Sequence, residues 1–124
     1  RVLFRSIISK KEGNMKIDFK TIPEKTVPEF LGGEKEFNVK TFIDENGNKI
    51  MRGRLIPGSS IGMHRHEANC EILYVLSGEG KMLTDDGEER LKAGDCTYCP
   101  KGCAHSFVND GTEDIIFFAT VVRQ

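Results

Sequence analysis

The chain has 124 residues and a mass of 13.9 kDa, enough for one domain with a single core. Eighteen basic against nineteen acidic residues leave a net charge of -1, with both signs interspersed, so neither nucleic acid nor an anionic membrane is indicated as a partner. No apolar run approaches the roughly 20 residues of a membrane span, and four cysteines without an export signal point to a reduced, cytoplasmic setting.

Arg1 to Ile8 are basic and apolar, but the run is too short, and lacks the small-residue cleavage site, of a secretory signal. Met15 follows Lys10-Lys11-Glu12-Gly13-Asn14, and codons for Lys-Glu-Gly can spell a purine-rich ribosome-binding sequence ahead of a start codon. Residues 1–14 are therefore expected to be a translated leader or a flexible arm. Residues 15–124 are expected to form the domain, with 15–36 as an arm lying on it or on a partner.

Helix signals are weak: thirteen glycines and four prolines punctuate the chain, and the best candidate is a single turn near Glu24 to Leu31. Strand signals are plentiful. Phe37 to Ile43 runs into Asp44-Glu45-Asn46-Gly47-Asn48, and Ile50 to Ile56 runs out of it, which predicts an antiparallel hairpin. Gly80 to Thr84 and Glu88 to Leu91 repeat the arrangement around Asp85-Asp86-Gly87. Glu71 to Leu76, Asp95 to Cys99, Ala104 to Val108 and Asp114 to Val122 complete the set. Many short strands joined by glycine turns predict an all-β antiparallel sandwich or barrel. Ile115 to Ala119 is apolar on both faces, so a cover is expected on each side of that strand.

All three histidines lie between Gly58 and Asn109. His64 and His66 share one face of an extended segment, because side chains alternate along a strand. Glu71 opens the next apolar run, where a bare carboxylate would be costly to bury and a cation would remove that cost. His105 follows the turn at Pro100-Lys101-Gly102. Together the four read as ligands of one divalent transition metal ion.

The same residues carry a resemblance. Gly58, His64, His66, Glu71 and Gly78 follow the spacing Gly-x5-His-x-His-x4-Glu-x6-Gly, and Gly94, Pro100, Gly102, His105 and Asn109 follow Gly-x5-Pro-x-Gly-x2-His-x3-Asn. These are similar to the two motifs of the cupin superfamily, with a short intermotif as in its small single-domain members. The resemblance implies a conical jelly-roll barrel holding one Fe, Mn, Ni, Zn, Co or Cu ion on His64, His66, Glu71 and His105, with open positions for a ligand. It further implies a small metal-dependent enzyme, of dioxygenase, isomerase or lyase type, that coordinates a small polar, anionic metabolite. The alternative is a non-catalytic metal- or ligand-binding or sensor module. Cupins commonly pair, and with the double-faced terminal strand this leads to the expectation of a homodimer.

Around the ligands, Cys96 and Cys99 sit at odd separation in one strand and face opposite sides, which argues against a Cys-x2-Cys chelate. Cys103 and Phe107 share parity with His105 and are candidates to line the pocket. One face of the second hairpin strand carries Met51, Gly53 and Leu55, and the other carries Arg52, Arg54 and Ile56. Whichever faces inward offers an apolar wall or guanidinium groups for a carboxylate. Met63 and Met82 are read as core, Tyr74 as outward-facing, and Asn109 and the motif glycines as structural.

Overall fold

The computed structural model of the protein describes residues 8–9 and 13–124, so the expectation for residues 1–14 falls almost wholly outside the described residues. The strands in order are β1 (Ile8–Ser9), β2 (Lys25–Pro28), β3 (Glu36–Asp44), β4 (Lys49–Leu55), β5 (Ser60–Arg65), β6 (Asn69–Ser77), β7 (Glu79–Thr84), β8 (Gly87–Lys92), β9 (Cys96–Cys99), β10 (Ala104–Val108) and β11 (Ile115–Arg123). They form two facing sheets, one ordered β1-β3-β4-β11-β6-β9 with β2 also on β3, the other β5-β10-β7-β8. All pairings are antiparallel except β1 on β3, and the result is the expected jelly-roll barrel, a double-stranded β-helix.

Both expected hairpins form. At the first, Gly47 alone takes a positive φ, and the Asp44 carboxylate accepts from the backbone N–H groups of Asn46 and Asn48, closing the turn. The expected helical turn near Glu24 to Leu31 does not form. Lys25–Pro28 is an edge strand on β3, where proline is tolerated, and the two short 3-10 turns flank it at Phe19–Thr21 and Phe30–Gly32.

The N-terminal segment lies on the outside of its own larger sheet. Lys40 Nζ donates to the Phe19 carbonyl (3.0 Å), the Phe19 ring meets Phe118 edge-on at 6.4 Å, and Glu24 pairs with Arg54 at 2.8 Å.

The core fills the space between the sheets with Phe37, Val39, Leu55, Ile61, Leu73, Val75, Met82, Leu91, Phe107, Ile115, Phe117 and Ala119. Its spine is aromatic: Phe30, Phe37, Phe117 and Phe107 follow one another at centroid distances of 5.3, 5.8 and 5.4 Å. The tip of the Phe117 ring abuts Gly53, where a Cβ would come within 2.4 Å of the ring, so this strand interior needs glycine for packing. Along β11 the inward Ile115, Phe117, Ala119 and Val121 are buried. Of the outward apolar residues, Phe118 touches the N-terminal segment, and Phe118 and Val122 stay partly open to solvent.

One departure from strict alternation matters for the site. Between His105↔His64 and Phe107↔Ile61 the register of β10 against β5 slips by one residue, so Gly62 and Met63 together oppose Ser106. This bulge turns both Ile61 and His64 inward despite their odd separation, and it throws Met63 out to 52% exposure. Met63 is thus not a core residue, whereas Met82 is.

Candidate metal centre

His64 ends the bulged part of β5, His66 follows that strand, Glu71 is on β6 and His105 on β10. Antiparallel pairing places His105 directly opposite His64. The turn carrying Gly102, which has a positive φ, is stapled to the chain after β5: Gly102 N–H donates to the His66 carbonyl, and His66 N–H donates to the Cys103 carbonyl. Four ligand candidates from three strands and a turn therefore meet because the two sheets are pinned together at this end.

Their donor atoms all lie within 4.8 Å of one another. The three imidazole centroids form a nearly equilateral triangle of 4.7, 4.9 and 4.9 Å, each ring edge-on to the others. Glu71 Oε1 stands 3.1 Å from His66 Nε2 and 2.9 Å from His105 Nε2, and the two nitrogens are 3.1 Å apart. Donors bound to one ion at about 2.0–2.2 Å and subtending 90–110° stand roughly 2.8–3.6 Å apart, so these spacings fit a shared cation.

The ring orientations fit as well. His64 Nδ1–H donates to the Gly62 carbonyl at 2.7 Å, and His66 Nδ1–H donates to Asn69 Oδ1 at 2.6 Å, in the tautomers that leave Nε2 bare. His66 Nε2 and His105 Nε2, 3.1 Å apart, repel when both are bare unless a proton or a cation lies between them. The cluster can hold one divalent transition metal ion, and its mixed nitrogen and carboxylate donors do not select among the first-row metals.

The electrostatics of the cluster follow from burial and pairing. Where protons rather than an ion occupy the ring Nε2 atoms, burial pushes the Glu71 carboxyl up, but hydrogen bonds from His105 and His66 outweigh it and hold the group at about 2. Burial depresses His64, while its bond to Gly62 works against that shift. His66 is raised chiefly by Glu71, with burial and the positive charge of Lys49 acting in the opposite sense.

A cavity of about 290 Å³ opens onto the four residues. Met51 and Phe107 line it, with Ile61, Leu73 and Phe117. Arg52 and Arg54 do not: β4 turns Met51, Gly53 and Leu55 inward, and Arg54 is held outside by Glu24 and Asp114. Cys103 lines a second cleft of about 720 Å³ bounded by β7, β8, β9 and β10, which His105 also lines. Cys96 and Cys99 face opposite ways, exposed and buried, and burial pushes the Cys99 thiol up to about 11, where it is unreactive.

Three contributors to the cavity were not evident in the sequence. Phe30 and Leu31 come from the loop before β3, and Lys49 is the first residue of β4. Glu29, Leu31 and Lys35 in that loop all have φ between 48 and 56°, a left-handed conformation unusual for side-chain-bearing residues. The loop is secured by Ser60, whose N–H donates to the Glu34 carbonyl and whose Oγ accepts from Glu34 N–H. Only the inward parity of Lys49, shared with Met51, could have flagged it.

A two-sheet β-barrel with three histidines and a carboxylate gathered at one end defines a metal-binding barrel protein. The family model for the cupin domain matches residues 51–121, and the chain belongs to the cupin superfamily. It is 33% identical over 118 residues to an oxalate-binding protein of Thermotoga maritima, covering 90% of this chain and 98% of that one. A crystal structure of a predicted oxalate decarboxylase from Thermotoga maritima superposes with a TM-score of 0.83 at 30% identity, over 89% of this chain and 100% of that one. A cupin-superfamily sugar phosphate isomerase from Silicibacter pomeroyi superposes with a TM-score of 0.70 at 25% identity, over 89% and 76% of the two chains.

Proposed function

We propose that this chain is a small metal-dependent cupin enzyme that takes up a short anionic metabolite, of the oxalate class, at a divalent ion held by His64, His66, Glu71 and His105. The observation that carries the reading is the convergence of three imidazoles and one carboxylate, two of the imidazoles held in the ligating tautomer, in a largely apolar cavity open to solvent. The names of the relatives from Thermotoga maritima support the oxalate class. A bound divalent ion supplies a Lewis acid that draws in and polarises a carboxylate.

The chain's own residues do the rest. Gly62 and Asn69 hold two rings in place, Glu71 offsets one of the ion's two charges, and the Phe107–Phe117 wall keeps bulk water from the ligand. The cavity volume admits a small metabolite. Beyond the cluster itself, its charged lining residues are Lys49, Arg65 and Glu67. That shortage of acid and base groups favours a second reading, a binding module without turnover.

One experiment separates the two. Protein reconstituted with manganese, iron or zinc is titrated with oxalate by calorimetry and then assayed for oxalate consumption. Binding with consumption supports the enzyme, binding without it the module, and no binding with any loaded metal refutes the ligand class.

We further propose that the protein works as a cytoplasmic homodimer. Ile72, Tyr74, Leu76 and Tyr98 form, with Phe118 and Val122, an exposed apolar stretch across the outer face of β9, β6 and β11. Such a contiguous exposed apolar stretch offers a surface for a second copy of the chain. Among the described residues no helix is long and apolar enough to cross a membrane.

A further inference from the structure

The register of the larger sheet places a cation at the mouth of the metal cavity. Lys49 pairs with Val121 across β4 and β11, and Val121 pairs with Glu71 across β11 and β6. The three residues form one row and project to the same side of the sheet, with Lys49 two strand spacings, roughly 9–10 Å of backbone, from Glu71. Lys49 lines the cavity that contains the four ligand candidates.

Its ammonium is also uncommitted. Among the described residues no carboxylate pairs with Lys49, whereas Arg54, Arg65 and Arg90 are each engaged by acids. Arg65 shares the rim, but its guanidinium is turned away to Asp85 and to the Gly102 carbonyl at 2.7 Å. Glu67, the remaining rim charge, is negative and would repel an anion. Most of the remaining wall, Met51, Ile61, Leu73, Phe107 and Phe117, offers no hydrogen-bond donor.

These facts bear on which anion the cavity prefers. A divalent ion with Glu71 carries a net charge of about +1, which one carboxylate neutralises. A dicarboxylate brings two charges, so one stays uncompensated even where both carboxylates chelate the ion, and its outer oxygens face mostly apolar side chains, an unfavourable place for a charge, unless a cation meets them. Lys49 reaches in from the one inner-face row that also holds Glu71, on a long stem that places its charge over the cavity without occupying it.

We infer that Lys49 is the specificity-determining residue of this cavity, offsetting the second negative charge of a short dicarboxylate bound at the metal centre by receiving its outer carboxylate oxygens. The inference rests on the metal-dependent reading above and adds to it a preference for dianions over monoanions.

The test is calorimetric titration of manganese-loaded protein with oxalate, malonate and acetate, with metal content measured for each variant. Lys49→Met keeps the stem and removes the charge; Lys92→Met removes an exposed charge on β8 as the control. Lys49→Met is expected to weaken oxalate and malonate by roughly 10- to 100-fold, the value of one charge-assisted hydrogen bond, with acetate changed less than about threefold and manganese content unchanged. Lys92→Met is expected to match the wild type for all three. Equal weakening of acetate and the dicarboxylates by Lys49→Met, or no weakening of either, overturns the role of Lys49 while leaving the metal site intact. Wild-type protein that loads manganese yet binds none of the three anions overturns the ligand class, and this inference with it.

Discussion

Replacing Gly62 by alanine probes the join between the rim loop and the metal centre. A Cβ at Gly62 would stand 1.9 Å from the Leu31 carbonyl oxygen and 2.8 Å from the Gly33 nitrogen, both backbone atoms that no rotamer change can move aside. The same contact is tight from the other side, where a Cβ at Gly33 would meet the Ser60 carbonyl oxygen at 2.0 Å. The loop must therefore lift off β5, or the bulge must flatten. Overpacking of this kind costs about 1–3 kcal/mol, and for a domain of this size each kcal/mol lowers the melting temperature by about 3–6 °C. Gly62→Ala is expected to melt about 3–18 °C lower by differential scanning calorimetry. Because the Gly62 carbonyl orients His64, the variant should also bind metal about tenfold or more weakly in a chelator competition. Gly111→Ala is the control, since its Cβ would meet nothing closer than 3.5 Å and its φ is not positive. A Gly62→Ala protein that melts within 1 °C of that control would show that the loop does not pack on β5 as described.

Further outcomes follow from the same structure. Asn69→Ala removes the acceptor that fixes His66, and metal affinity by chelator competition should fall about 10- to 100-fold with little change in the melting temperature of the metal-free protein. Asn109, fully buried, donates to the carbonyls of Leu55 and Glu113 and accepts from Gly111 N–H; Asn109→Leu should lower stability in urea titration by about 2–4 kcal/mol. Asp85 is held below the ordinary aspartate value of 3.8, first by the Ala104 N–H and then by Arg65. A depressed carboxylate contributes stability above its unfolded value and loses it as pH falls through the folded one, so melting temperature should drop more steeply between pH 5 and about 3 for the wild type than for Asp85→Asn. Phe118→Glu or Tyr74→Glu should shift the proposed homodimer to monomer in light scattering, and an unchanged mass for both would remove that face from the interface.

The ligand pattern was legible in the sequence because each part of it is local. A His-x-His pair needs only an extended chain, the motif glycines need only their turns, and Gly58, Gly78, Gly94 and Gly102 all take positive φ. The alternation of Met51, Gly53 and Leu55 against Arg52, Arg54 and Ile56 was equally plain, but alternation alone does not say which side faces the core. Docking of the second sheet decided that, and it turned Arg54 outward to Glu24 and Asp114 and Lys49 inward.

Composition and spacing by themselves determined an all-β domain and named the four side chains able to share an ion, since strand period, turn glycines and ligand chemistry act over a few residues. Tertiary structure alone decided the register slip that turns His64 inward and Met63 outward, the rim loop that brings Phe30 and Leu31 over the cavity, and the cross-sheet row joining Lys49 to Glu71. Each of these depends on pairing between segments distant in the chain, where one residue of register reverses the face that every side chain presents.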